Sequence, residues 1–173
     1  MQSLTRLLST LPSTLSVALA FSTAAIAGDL PKEGTYSTTY STYGTFKAAQ
    51  VGKDVVLLGW DESGLSIGKG ILDHVTWHCW GLFNTLNGTS QTTGGYCVVT
   101  DPNGDQLAST IVGDKWPKEG KSFTGTATWL SGTGKYAGIS GNYKYECHHP
   151  DFRTAAEGTY VQYCIMQGSY KLP

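Results

Sequence analysis

Lys121 to Cys147 reads Lys-Ser-Phe-Thr-Gly-Thr-Ala-Thr-Trp-Leu (121–130), Ser-Gly-Thr-Gly-Lys-Tyr-Ala-Gly (131–138), then Ile-Ser-Gly-Asn-Tyr-Lys-Tyr-Glu-Cys (139–147). Its pattern is strand, glycine-rich turn, strand. Side chains along a strand point alternately to its two faces. Ile139, Gly141, Tyr143, Tyr145 and Cys147 therefore share one face, and Ser140, Asn142, Lys144, Glu146 and His148 share the other. That is a half-buried strand with one wet side. The first strand alternates in the same way, with Phe123, Gly125, Ala127 and Trp129 set against Thr124, Thr126, Thr128 and Leu130. Gly132, Gly134 and Gly138 supply the positive φ that the turn requires.

The run Phe-Thr-Gly-Thr-Ala (123–127), the turn Gly-Thr-Gly-Lys-Tyr-Ala-Gly (132–138) and the glycine at 141 resemble the allene oxide cyclase and dirigent families of calycin-like barrels, most of all small exported bacterial relatives. The resemblance covers about one sixth of the chain. It implies an all-β fold, an eight-stranded antiparallel barrel around an apolar cavity. It also implies chemistry that steers the cyclisation or coupling of a bound molecule with no metal or organic cofactor. None of the family's polar cavity residues can be matched to positions here, so no catalytic residue is carried over.

Outward from the hairpin, turn signals recur every 8–12 residues, as in a sandwich or barrel. Thr35 to Phe46 reads as the first strand, and Val51–Asp54 as a turn. Val55–Trp60 reads as a short strand that turns at Asp61-Glu-Ser-Gly64. Ile71 to Phe83 reads as a long strand with Val75, Trp77, Cys79, Gly81 and Phe83 on one face. Asn87-Gly88 is a strong hairpin signal. Gly94–Thr100, Gln106–Val112 and Thr159–Gly168 complete about eight strands. Asp101-Pro-Asn-Gly-Asp105 reads as a tight turn rather than a calcium loop, since it lacks the loop length and the distal Glu. Pro-Lys-Glu-Gly at 31–34 and 117–120, and Glu-Gly-Thr-Tyr at 33–36 and 157–160, each precede a strand and read as a reused turn. The loop from His149 to Gly158 has room for one helical turn.

The first 27 residues read as a secretory signal peptide. Arg6 is their only charge, a short apolar run follows around Leu15–Phe21, and Ala25-Ile26-Ala27 gives a small-x-small cleavage site. The apolar run is too short for a transmembrane helix. Cleavage near Ala27 predicts an exported chain, periplasmic or secreted, with residues 28–173 forming one domain. That domain carries 11 basic and 13 acidic residues, a net charge of −2, with no Lys/Arg cluster of the kind nucleic acid requires. A charged fraction of 14% beside 22 glycines and 12% aromatic residues fits an all-β exported domain.

Cys79, Cys97, Cys147 and Cys164 all lie in that domain, an even count that predicts two disulfides in an oxidising compartment. Strands folding back around position 88 place Cys79 and Cys97 opposite one another, each nine residues away. Cross-strand Cβ atoms about 4.5–5.5 Å apart suit a disulfide. A modest register offset across the 149–158 loop brings Cys147 to Cys164. The pairing expected is therefore 79–97 and 147–164.

Other chemistry finds less support. His74 and His78 on one straight strand would lie roughly 13 Å apart, too far for a zinc ion that needs nitrogens at about 2.0–2.1 Å. No metal site is expected. Asp61 and Glu62, as neighbours in a turn, make a poor acid/base pair, and no Gly-x-Ser-x-Gly elbow is present. What remains is aromatic. Trp77, Trp129, Tyr143 and Tyr145 on the inward faces, with Asp73 near a mouth, are the expected contacts for a small apolar or aromatic ligand. Three functions follow: a binding or structural envelope barrel, a cofactor-free isomerase with Asp73 as its ionisable group, or a small outer-membrane barrel. A carbohydrate surface built on Tyr36 and Tyr40 is a variant of the first.

Overall fold

The structure, a computed structural model, describes residues 30–114, 122–149 and 156–173, without the side chains of 91–93. The signal peptide and its cleavage site lie outside these residues. So do the Pro117–Gly120 repeat and most of the 149–158 loop.

Eight strands form one closed antiparallel barrel in chain order: β1 Glu33–Val51, β2 Val55–Lys69, β3 Val75–Leu86, β4 Thr89–Thr100, β5 Gln106–Gly113, β6 Ser122–Gly132, β7 Ser140–His148 and β8 Thr159–Lys171. β1 closes on β8, from Glu33 opposite Lys171 to Thr45 opposite Thr159. Closure leaves no sheet edge to pair with another chain. The founding hairpin is β6–β7, and its faces fall as alternation requires. Ile139, Tyr143, Tyr145 and Cys147 are buried, while Lys144 and Glu146 are exposed.

Both disulfides form between strand neighbours: Cys79–Cys97 joins β3 to β4 and Cys147–Cys164 joins β7 to β8. The first needs a correction to its register. Asn87 (φ 52°) and Gly88 (φ 75°) form the tight two-residue turn expected of Asn-Gly. That turn sets Leu86 opposite Thr89, a register that would place Tyr96 across from Cys79. A one-residue bulge beside Asn84/Thr85 absorbs the difference and brings Cys97 there instead.

Three readings of the strands change. Asp61-Glu-Ser-Gly64 is not a turn, because β2 runs through it unbroken. Its composition is that of a turn, yet Asp61 and Ser63 point outward and Glu62 inward in strand alternation. β3 starts at Val75, since Gly70–Leu72 forms a 3-10 turn and His74 has a φ of 54°, so His74 and His78 do not share a strand. Tyr36 and Tyr40 are buried in the core, which removes the carbohydrate surface proposed for them.

The 3-10 turn plugs one end of the barrel. Leu72 is fully buried, and its carbonyl accepts hydrogen bonds from Ser66 Oγ at 2.7 Å and Thr38 Oγ1 at 3.4 Å. Trp77 Nε1 donates to Ser66 Oγ at 2.9 Å, fixing its indole above the plug. On the opposite wall Trp129 Nε1 donates to the Tyr36 hydroxyl at 3.0 Å, and Tyr143 shares a hydrogen bond with Ser109 at 3.0 Å. Core aromatic side chains with satisfied polar tips make this half a packed interior.

Candidate functional site

The other half is hollow. A cavity of about 210 Å³ opens between the plug and the far rim. Trp60, Trp77, Tyr40, Tyr143, Tyr145 and Tyr160 supply much of its wall, and Phe46, Phe83 and Phe123 stand towards the rim. Both disulfides also face it. An engineered apolar cavity of about 150 Å³ takes up benzene, so this space suits a one-ring molecule with a short side chain.

Glycine makes room for the large rings. Gly81 and Gly95 lie on the inner face, where the Trp60 indole crosses them, and a Cβ at Gly81 would meet Trp60 Cζ2 at 2.5 Å. Gly44 does the same for Tyr160. It pairs with Tyr160 on β8 and with Glu62 on β2, and a Cβ there would lie 2.3 Å from Tyr160 Cζ. Tyr160 therefore lies over β1 and reaches a residue two strands away.

That residue is the site's one carboxyl group among the described residues. Glu62 is 6% exposed and lines the cavity. The Tyr160 hydroxyl donates to its Oε2 at 2.9 Å and Gln162 Nε2 to the same oxygen at 2.7 Å. Burial pushes Glu62 up to about 7, against the opposing pull of the donors Tyr160 and Gln162. Burial first, and then the Glu62 carboxyl, raise the phenol of Tyr160 well above its ordinary value, so it stays protonated and donates. His149 also lines the cavity. Burial, and then His148, lower it to about 4, so it is neutral at neutral pH. The hydroxyls of Tyr40 and Tyr145 and the Oε1 of Gln162 are buried without hydrogen-bond partners among the described residues.

Of the residues expected at the site, Trp77, Tyr143 and Tyr145 border the cavity. Trp129 does not. It lies towards the plugged end, with its ring 6.2 Å from Tyr36 and 5.1 Å from Tyr143. Asp73 lies outside the cavity, partly exposed, accepting from Gly68 N–H at 3.1 Å and standing 2.7 Å from His74 Nδ1. The Gly68 N–H and then His74 hold its carboxyl below the ordinary range. The carboxyl group inside the barrel is thus Glu62, not Asp73. Continuing the alternation Leu58, Trp60 across 61–64 would have found it, but a buried carboxyl reads as a wet residue in any hydrophobic pattern.

No group of three or more metal-ligating side chains that could hold an ion occurs among the described residues. No helix of the described residues is long and apolar enough to cross a membrane.

No protein-family model matches the chain, and no curated protein matches its sequence. Among solved structures it matches that of the pterocarpan synthase dirigent protein GePTS1, with a TM-score of 0.52 and 12% identity, over 83% of this chain and 88% of that one. At that identity the likeness speaks for the fold: an eight-stranded barrel of the dirigent type.

Proposed function

We propose that this chain is an exported barrel that binds a small apolar or aromatic molecule in its interior. The observation that carries this reading is the cavity of about 210 Å³, walled by aromatic rings and holding a buried carboxyl and unpartnered hydroxyls. A protein interior is ordinarily close-packed, so a void with polar groups aimed into it reads as a receptor. Export is supported by the signal-like first 27 residues, and two disulfides fit an oxidising compartment. Cleavage near Ala27 would leave 28–173 as one domain.

Against an outer-membrane barrel stands the sense of the alternation. Such a barrel is apolar outside and polar within. Here the interior is the aromatic side, and Thr124, Thr126, Thr128, Asn142, Lys144 and Glu146 of β6 and β7 point outward. A purely structural envelope role would leave the cavity without a purpose.

The test is a titration with 2-phenylethanol, following the fluorescence of Trp60 and Trp77 and the heat of binding. Saturable quenching that is lost in Ile111→Trp, which fills the cavity, supports the reading. Absence of any binding at millimolar ligand sinks it.

One observation favours a second reading, a cofactor-free isomerase or cyclase. A buried carboxyl held near 7 can both give and take a proton at neutral pH. Glu62→Gln would then abolish turnover of a bound substrate and leave its affinity intact.

A further inference from the structure

Among the described residues, the charges inside the cavity do not balance. Glu62 is the one carboxyl group among the described residues of the lining, and neither Lys nor Arg is present among them to pair with it. The described groups that face Glu62 are neutral: Tyr160 and Gln162 from β8, Tyr40 from β1, the Cys79–Cys97 disulfide from β3, Tyr145 from β7 and His149 just beyond it. Asp61, its neighbour in β2, points outward and adds only negative charge. Both direct hydrogen bonds to the carboxyl end on Oε2, and Oε1 receives none among the described residues.

A buried carboxylate without a counter-charge is costly, and a cation placed against it recovers much of that cost. The walls suit a cation as well. The faces of Trp and Tyr rings attract ammonium groups, most strongly where water is excluded. Tyr40 and Trp77 stand together here, with ring centroids 5.2 Å apart, and Trp60 and Tyr160 line the same space.

We infer that the interior of this barrel is a receptor for a small organic monocation, an aromatic or alkyl ammonium compound, with Glu62 as its counter-ion and the surrounding rings as its cage. The inference rests on the reading of the cavity as a ligand site. A carboxylic acid would meet repulsion there. A neutral aromatic molecule would fill the space without neutralising Glu62.

The experiment compares 2-phenylethylamine with its neutral analogue 2-phenylethanol, by calorimetry at pH 8.0 and pH 5.5. An alkylamine with a pKa of about 10 stays protonated at both values, so any change in preference belongs to the protein. The expected result is that the amine binds at least tenfold more tightly at pH 8.0. This preference should shrink by at least tenfold at pH 5.5, where Glu62 has taken up a proton. Glu62→Gln should erase the preference at pH 8.0. If 2-phenylethanol binds and the amine binds no better at pH 8.0, the inference is overturned and the cavity-binding reading survives. A preference that persists in Glu62→Gln overturns it too. If neither compound binds, the reading of the cavity as a ligand site falls, and this inference falls with it.

Discussion

Glu62 and Tyr160 face one another across Gly44, which pairs with both of them, and the tyrosine hydroxyl donates to Glu62 Oε2 at 2.9 Å. The bond joins β2 to β8 over the bare backbone of β1. It spans 98 residues of sequence, and it exists because the middle strand has no side chain at that point. The same row continues from Glu62 to Cys79 and on to Cys97, so a disulfide and the buried carboxyl share one level of the barrel.

Gly44→Ala tests this arrangement. Alanine at a strand position normally costs nothing and often stabilises relative to glycine. Here its Cβ would overlap the Tyr160 ring. The expected outcome is a loss of roughly 1–3 kcal/mol in urea unfolding. A neutral or stabilising effect would show that Tyr160 does not lie over β1.

Tyr160→Phe removes one of the two donors to Glu62 Oε2. Hydrogen bonds to a charged group contribute roughly 1.5–3 kcal/mol, so the folded-state pKa of Glu62 should climb from about 7 by roughly one unit or more. Titration of the Glu62 carboxyl carbon by NMR measures it. An unchanged value refutes the bond.

Stability against pH gives a test with a definite sign. The pKa of Glu62 is raised from 4.5 to about 7 on folding, so between those values the folded state binds more protons than the unfolded one. Stability from this group therefore falls as pH rises through that window and stays low above it. His149 runs the other way. Its pKa drops from 6.5 to about 4, so its contribution rises with pH between those values. The two slopes oppose each other over most of a shared window. Glu62→Gln should unmask the His149 slope, making stability rise from pH 4.5 to 6.5. At pH 8 it should exceed the wild type by roughly 3 kcal/mol, the scale of a shift of about 2.5 units. Denaturant midpoints across pH 4–8 check both; a variant whose profile parallels the wild type would show that Glu62 is not buried as described.

Each disulfide closes a short loop, with sequence separations of 18 and 17. Replacing either pair by alanine should cost roughly 3 kcal/mol. The pairs join different strands on separate walls, so their losses should add. Non-reducing peptide mapping should yield the 79–97 and 147–164 links, and a peptide joining Cys79 to Cys147 would contradict the register.

How much of this was legible follows from what alternation encodes. In β6 and β7 the inward set is apolar and the outward set polar, so hydrophobicity alone assigns both faces, and the buried Tyr143, Tyr145 and Cys147 could be named in advance. In β2 the inward set includes a carboxyl group, and the same rule read Asp61-Glu-Ser-Gly64 as a turn. Trp77 lies in the cavity wall, whereas Trp129, with the same alternation, sits beside the plug. Alternation tells inside from outside and carries no information about depth along the barrel axis.

Local signals in the chain carry the strand periods, the Asn-Gly turn, and two cysteine pairs within reach of their hairpins. The remaining features arise only in the folded barrel. The closure of β1 on β8, the bulge that turns Cys97 rather than Tyr96 towards Cys79, and the row that joins Tyr160 to Glu62 over Gly44 all depend on register around the whole barrel. Register is a collective property, because each strand's offset is fixed only when all eight have closed on one another. The site is built from side chains on several strands at one level of that closed ring, so no single stretch of sequence contains it.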